Sequence, residues 1–381
     1  MKKICFVSDY FIRDPEAAIT GPMVQTYLLG KELQSRGWEV HFVAYKRRII
    51  HAYQTTYERL NIHWLPQRRF FPLLNCLWIL REMGQINADF YYQRGRDILT
   101  GITSHFCKKN RKRFIWASSG DSGVERTKYA NQLKRKNRPF LIRILLHVEA
   151  RVNDAICEYG IENADRIIVQ TEYQANRLED TFDRQSIIIG SGHPVVTVIE
   201  RNLPFKVLWI GNIKRIKRPE LYIELAQMCK DLDCEFWMAG QIGDQNLWQL
   251  LEPTIRDLKN FRFLGPIPFA GSQQTISHAH VLINTTDQGY EGLPNAFVQA
   301  WLTGTVTLSL NCDPDGIIER EGIGKKFSSI GEAKRLVNRM LNEPLYWKTL
   351  SHNAQVFGQT NFDIKNIVDR VEQHLVGHSG T

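Results

Sequence analysis

Several features that would simplify the reading of this chain are absent. Its 381 residues contain seven cysteines, Cys5, Cys76, Cys107, Cys157, Cys229, Cys234 and Cys312. The number is odd and no Cys-x-x-Cys pair occurs. This argues against a disulfide framework or a cysteine zinc site and leaves reduced cytosolic thiols as the simple expectation. No apolar run approaches the ~20 residues that span a bilayer. The four apolar residues Ile4 to Val7, ahead of Ser8-Asp9, read as a strand rather than a signal peptide. There is no low-complexity tract and no internal period that would indicate a solenoid. The Gly-x-Gly-x-x-Gly fingerprint does not follow the first strand, which disfavours a dinucleotide-dependent oxidoreductase. Basic residues are not interleaved with aromatics in any recognised nucleic-acid module, so no nucleic-acid partner is expected.

The length suggests two domains, and 43% hydrophobic residues suffice for ordinary cores. The formal charge of +9 is unevenly placed, since residues 201–381 are neutral in sum. Residues 101–150 alone hold 12 basic and 3 acidic side chains. Lys108, Lys109, Arg111, Lys112 and Arg113 form one cluster. Lys134, Arg135, Lys136, Arg138 and Arg143 form a second, running into the apolar residues Leu141-Ile142 and Ile144-Leu145-Leu146. Such a stretch is either a solvated helix with its apolar side in the core or a surface for anionic lipid.

Periodicity gives the architecture. Lys3 to Ser8 predicts a strand, Asp9 to Gly21 a polar loop, and Val24, Leu28 and Leu33 a helix stopped by Gly37. Val40 to Ala44, Phe90 to Tyr92, Phe114 to Ala117 and Arg166 to Gln170 predict further strands. This alternation indicates a parallel, doubly wound sheet. The pattern restarts after Pro204. Strands are expected over Lys206 to Ile210, Glu235 to Ala239, Phe261 to Leu264, Val281 to Asn284 and Val306 to Leu310, with a helix beginning at Pro219. Two such halves, split near residues 195–204, predict a two-lobed protein with ligands at the carboxyl ends of its strands.

The richest segment is Gly-Tyr-Glu-Gly-Leu-Pro-Asn-Ala-Phe-Val-Gln, residues 289–299. It follows an apolar strand and opens a helix, whose free N–H groups attract phosphate. Glu291 would repel phosphate and suits sugar hydroxyls or a cation forming in a transition state. Together they suggest a nucleotide-sugar site. The segment resembles the signature of family 4 glycosyltransferases, a Glu followed eight positions later by a second Glu. Glu291 takes the first position and Gln299 the second. In that family the second carboxylate accepts hydrogen bonds from ribose hydroxyls; Gln299 retains one carbonyl acceptor and can also donate.

Other segments match in order. Gly211-Asn212-Ile213-Lys214-Arg215-Ile216-Lys217-Arg218 resembles the family's Arg- and Lys-bearing diphosphate loop. Lys217 stands at the Lys position and Asn212 where Arg is expected, which keeps a donor but loses charge and the bidentate fork. Lys214 or Arg215 would compensate. Met238-Ala239-Gly240, Phe263-Leu264-Gly265, Asp313-Pro314-Asp315-Gly316 and Thr20-Gly21-Pro22 resemble the family's smaller turns. A His common in the family is missing after the strand Phe114 to Ala117, where Ser118-Ser119-Gly120-Asp121 stands. Ser119 falls near that position. Asp121 is the nearest acid or base, with a helix N-cap or Asx turn as its competing role. His193, near the lobe boundary, is another acceptor-side candidate.

The resemblance implies an α/β GT-B fold, two doubly wound Rossmann-like domains facing a central cleft. Residues 1–198 would bind acceptor and 199–361 the nucleotide-sugar, while 362–381 form a helix crossing back. It implies a retaining transfer from a UDP- or GDP-sugar to an acceptor hydroxyl, with no obligatory metal or other cofactor. Catalytic roles would fall to Glu291, Lys217 and Asp121. Donor contacts would come from Gly21, Gly211, Asn212, Arg215, Lys217, Gly240, Gly265, Gly292, Leu293, Pro294, Asn295 and Gln299. The expected partners are a nucleotide-sugar, a glycan or lipid-linked acceptor, and an anionic membrane surface reached through residues 108–143. The location would be cytoplasmic, peripheral to the plasma membrane. A catalytically degenerate binding module of the same fold is the alternative.

Overall fold

The computed structural model describes residues 2–14, 19–67, 72–133, 140–197, 199–287, 289 and 291–376, with backbone alone for 72–74 and 140–143. The expected basic residues Lys134, Arg135, Lys136 and Arg138, and the side chain of Arg143, therefore lie outside the described part. So does Tyr290, beside Glu291. The chain divides into two compact units, Met1–Gly190 with Val368–Thr381, and Ser191–Ile367.

The first unit runs β1 (Lys3–Ser8), α1 (Gly21–Ser35), β2 (Glu39–Lys46), β3 (Tyr53–Tyr57), β4 (Leu60–Pro66), α2 (Pro72–Ile86) and β5 (Phe90–Arg94). It continues through α3 (Ile98–Asn110), β6 (Arg113–Ala117), α4 (Lys128–Leu133), α5 (Phe140–Glu162), β7 (Arg166–Val169), α6 (Glu172–Phe182) and β8 (Ile187–Ile188). Its sheet has the order β3-β4-β2-β1-β5-β6-β7-β8. All neighbours are parallel except the β3–β4 hairpin. That hairpin corrects the purely parallel expectation. Its first strand, Tyr-Gln-Thr-Thr-Tyr, is exposed along most of its length and so lacks the apolar run that marks a buried parallel strand. Helix α2 is tied to the sheet by a chain, buried at its two histidines, in which Glu39 meets His41 Nε2 at 2.8 Å, His41 Nδ1 meets His63 Nε2 at 2.9 Å and His63 Nδ1 meets Glu82 at 2.6 Å.

The second unit runs β9 (Phe205–Ile210), α7 (Pro219–Met228), β10 (Cys234–Ala239), α8 (Gln245–Asp257), β11 (Phe261–Gly265), α9 (Phe269–Ser277) and β12 (Val281–Asn284). Then come α10 (Asn295–Leu302), β13 (Val306–Ser309), α11 (Ile317–Arg320), β14 (Gly324–Lys326), α12 (Ile330–Asn342) and α13 (Pro344–Phe362). Its six strands are all parallel, in the order β11-β10-β9-β12-β13-β14. The core on one face is built from Val207, Trp209, Tyr222, Phe236, Ile283 and Leu308, all buried. On the other face Phe297 and Trp301 of α10 are fully enclosed with Leu208, Leu282 and Ala354. Burial on both faces explains why these strands read as unbroken apolar runs.

The last helix, α14 (Ile364–Val376), carries the chain back into the first unit. There Arg36 binds Asp369 at 2.5 Å and Glu372 at 2.7 Å, the Trp38 indole donates to Glu372 at 2.6 Å, and Arg113 donates to the Leu375 carbonyl at 3.2 Å. The last contact places a cation at a helix C-terminus, where the dipole favours it. Among the described residues no helix is long and apolar enough to cross a membrane, and all seven cysteines are free.

Candidate active site

In the second unit the strand order reverses between β9 and β12, the two strands on which successive crossovers turn in opposite directions. Doubly wound sheets bind ligands outside the carboxyl ends of such a pair, where the two following loops splay apart. Here those loops are 211–218, after β9, and 285–294, after β12.

The first loop is fastened to the second. The Trp209 indole donates to Thr285 Oγ1 at 3.0 Å, and that hydroxyl donates to the Lys217 carbonyl at 2.7 Å. The Asp287 N–H bonds the Ile216 carbonyl at 3.0 Å. Gly240, at the end of β10, supports the same loop from the other side. Its φ is +148°, and a Cβ there would stand 1.8 Å from the Gly211 carbonyl oxygen. Only glycine permits both the backbone angle and the approach.

This scaffold sorts four cations that look alike in the sequence. Lys217 turns to the Glu291 carboxylate and pairs with its Oε1, while Asn284, the last residue of β12, donates to Oε2 at 3.3 Å. Both partners of the ion pair are largely enclosed, at 18% and 17% exposure. Arg215 is exposed and reaches Asp244 at 3.4 Å. Arg218 faces Glu220 and Asp287 at 3.5 and 3.7 Å, and Lys214 is exposed. Lys217 is thus the cation of this loop that meets Glu291. Beyond Glu291, Gly292, Leu293 and Pro294 are buried. Pro294 then leads into α10 without a side-chain cap, its carbonyl accepting from the Phe297 N–H at 3.0 Å.

Gln299 lies one turn into α10 and is buried. Its amide nitrogen donates to Ser272 Oγ at 3.0 Å and sits 3.3 Å from His193 Nδ1. His193, expected on the acceptor side, belongs to this second unit, together with Lys217, Glu291 and Gln299. Its backbone is bracketed where α13 passes into α14: its N–H bonds the Phe362 carbonyl at 3.0 Å, and its carbonyl accepts from the Ile364 N–H at 2.9 Å. Gly265 holds the turn after β11, with its carbonyl accepting from the Gly240 N–H at 2.9 Å. Gly21, Ser119 and Asp121 belong to the first unit. Gly21 opens α1 after Thr20. Asp121 begins a short 3-10 turn, and its Oδ1 accepts from Gln174 Nε2 at 2.9 Å.

Sequence reasoning did not find Asn284, Thr285 or Ser272. The first two follow the apolar run of β12 directly, so a strand-end polar pair was an available signal. Ser272 carries no local signal, because α9 is brought to α10 only by tertiary packing.

Burial keeps two imidazoles of this unit neutral. His193 is pushed down to about 4 by desolvation, against a hydrogen bond with Asn295 that raises it. His280 is also pushed down to about 4, first by desolvation and then by Arg201 and Lys206. Unfolded histidines titrate near 6.5, so below that pH the unfolded chain binds protons that the folded unit rejects. Stability is expected to be complete above about pH 6.5 and to fall as pH drops toward 4. Urea midpoints measured from pH 7.5 to 4.5 should decline, and His280→Gln should flatten that decline.

No protein-family model and no curated protein matches this sequence. Solved structures do match in fold. Sucrose-phosphate synthase from Thermosynechococcus elongatus superposes with a TM-score of 0.71 at 16% identity, covering 98% of each chain. HepE of Anabaena, solved with UDP-glucose, gives 0.73 at 12% identity over 99% of this chain and 100% of its own. The catalytic domain of starch synthase IV from Arabidopsis thaliana, bound to ADP and acarbose, gives 0.64 at 12% identity over 97% and 99%. Likeness at that level of identity establishes architecture: this chain has the α/β fold of the GT-B glycosyltransferases, with two parallel-sheet units.

Proposed function

We propose that the protein is a retaining glycosyltransferase of the family 4 type. It moves a sugar from a UDP- or GDP-sugar to an acceptor hydroxyl in the assembly of a bacterial surface polysaccharide or lipid-linked glycan. The observation that carries this reading is the meeting of Lys217 and Glu291 at the strand reversal of the second sheet. A cation and a carboxylate held together there can divide a nucleotide-sugar between them. The diphosphate takes Lys217 and the N–H groups opening α10. The sugar hydroxyls take Glu291. As the glycosidic bond stretches, negative charge grows on the diphosphate and positive charge on the sugar ring, and the same two side chains oppose each. Structures of this fold bound to UDP-glucose and to ADP support a nucleotide-sugar as ligand.

Arg215 is close by in the same loop and free to swing from its exposed contact with Asp244. Lys217, Arg215 and backbone N–H groups meet the diphosphate charge in this reading, which assigns no metal. On the first unit, Ser119 and Asp121 are the candidates to orient the acceptor, with Asp121 steadied by Gln174.

Calorimetry with UDP-, GDP-, ADP- and CMP-sugars tests the donor site. One base class should bind, and donor-dependent product should follow with a suitable hydroxyl acceptor. Absence of binding at millimolar donor would sink the reading. Binding without turnover would favour a degenerate module, for which Asn212 at the expected Arg position is the specific argument.

A lipid-linked acceptor requires an enzyme that visits the membrane. Helix α5 leaves Ile144, Leu145, Val148 and Val152 exposed, Leu145 to 73%, at spacings that share one face of a helix. In sequence this stripe follows the basic residues 134–143, a pairing suited to anionic lipid. Leu145→Glu with Val148→Glu should reduce cosedimentation with phosphatidylglycerol vesicles at least several-fold, while leaving donor affinity unchanged.

A further inference from the structure

Gln299 occupies the position at which the resemblance expects a carboxylate, and its neighbours define what the amide can present. Its nitrogen has two hydrogens. One points to Ser272 Oγ at 3.0 Å and the other to His193 Nδ1 at 3.3 Å. With both used, the remaining polar atom is Oε1, an acceptor with two lone pairs.

His193 is built to be such a partner. It is 1% exposed, its backbone is bonded on both sides to residues 362–364, and its ring lies 6.3 Å from that of Phe269. The side chain of Asn295, first residue of α10, hydrogen-bonds the same imidazole. The ring therefore touches two signature residues, one at the opening of α10 and one a turn further on. A neutral imidazole offers one donor and one acceptor. If Nδ1 accepts from Gln299, the proton resides on Nε2.

We propose that His193 is a positioning residue for the donor: its unprotonated Nδ1, together with Ser272 Oγ, fixes the Gln299 amide so that Oε1 is presented to the ribose hydroxyls of the nucleotide-sugar. An uncharged glutamine then offers an acceptor where the resemblance expects a carboxylate. This rests on the glycosyltransferase reading above. It carries a consequence opposite to the one resemblance suggests. Gln299→Glu would force the imidazole proton from Nε2 onto Nδ1 and place a buried carboxylate beside it, so returning to the family's residue should weaken donor binding at neutral pH, by about tenfold, rather than strengthen it.

The tautomer can be read directly. The full chain, labelled with 15N in its 11 histidines, should show a His193 signal with Nδ1 unprotonated and Nε2 protonated, assigned by its loss in His193→Asn. A protonated Nδ1 would mean the amide is turned the other way and would overturn the proposal. Donor affinity by calorimetry supplies the second readout. His193→Asn places an oxygen acceptor where Nδ1 was, and should hold affinity within about threefold. His193→Gln reaches the Nε2 position and leaves Nδ1 unreplaced, and should lose about tenfold. Equal losses in the two variants, or a gain in Gln299→Glu, would refute the positioning role. Thermal melts of each variant separate unfolding from lost positioning, and the tautomer is measured on the unaltered chain. Should the unaltered chain bind no nucleotide-sugar, the glycosyltransferase reading itself falls; should it bind while the tautomer is reversed, only this inference falls.

Discussion

Lys217→Ala is expected to weaken nucleotide binding, whereas Glu291→Ala should leave it intact or strengthen it. Lys217 and Glu291 pair with each other, both largely enclosed. A diphosphate must take Lys217 away from Glu291. Removing the lysine deletes the charge-assisted contact and leaves Glu291 facing the phosphates with like charge. The loss should be about 2–4 kcal/mol in donor affinity, roughly 30- to 1,000-fold. Removing the glutamate instead frees the lysine. Free nucleoside diphosphate should then bind as tightly as before, or more tightly, because no internal anion competes for the ammonium.

Turnover in Glu291→Ala should nevertheless fall by about 10²–10³, since the carboxylate that opposes the forming oxocarbenium charge is gone. Glu291→Gln keeps the shape and separates loss of charge from loss of packing. Calorimetry with the nucleoside diphosphate alone, beside initial rates with the full donor, reads both effects. Weaker diphosphate binding in Glu291→Ala would contradict this account of the pair.

The second large effect concerns Gly240, which the resemblance places among the donor contacts and whose backbone also presses on the loop that carries Lys217. A Cβ at this position would sit 1.8 Å from the Gly211 carbonyl oxygen, and φ is +148°. Gly240→Ala must therefore displace backbone against backbone, with no flexible side chain to yield. The cost should be about 2–4 kcal/mol of stability. The displaced segment is the one that carries Lys217, so donor affinity should fall together with the urea midpoint. Gly265 is the control. Its φ is +71°, but the space around it is open, so Gly265→Ala should cost only about 1 kcal/mol and leave the donor loop in place. Equal destabilisation in both variants would show that backbone angle, not the contact with Gly211, makes Gly240 necessary.

The strand ends were legible in the sequence because parallel strands buried on both faces must be apolar and then stop at a loop. Val281 to Asn284 and the helix start at Pro219 stand where the pattern put them. The β3–β4 hairpin escaped because β3 is polar and exposed. The order of polar loops along the chain also pointed to Glu291 and Lys217. It could not distinguish Lys217 from Lys214, Arg215 and Arg218. Those cations diverge because the bonds from Trp209 through Thr285 to the Lys217 carbonyl set the backbone from which each side chain departs. His193 stood in the sequence only as an acceptor-side candidate near the lobe boundary. Its meaning comes from residues far along the chain, Gln299 106 positions away among them.

The order of residues along the chain is enough to give the α/β class, the restart of the pattern after Pro204, and the two loops that carry the charged candidates. These follow from local periodicity and turn chemistry, which act over a few residues. Tertiary structure alone decided which cation faces Glu291, which partners occupy the amide of Gln299, and how tightly Gly240 is pressed against Gly211. Each of these is a contact between segments distant in the chain, selected by how two faces of one sheet are packed and not by any residue's neighbours in sequence.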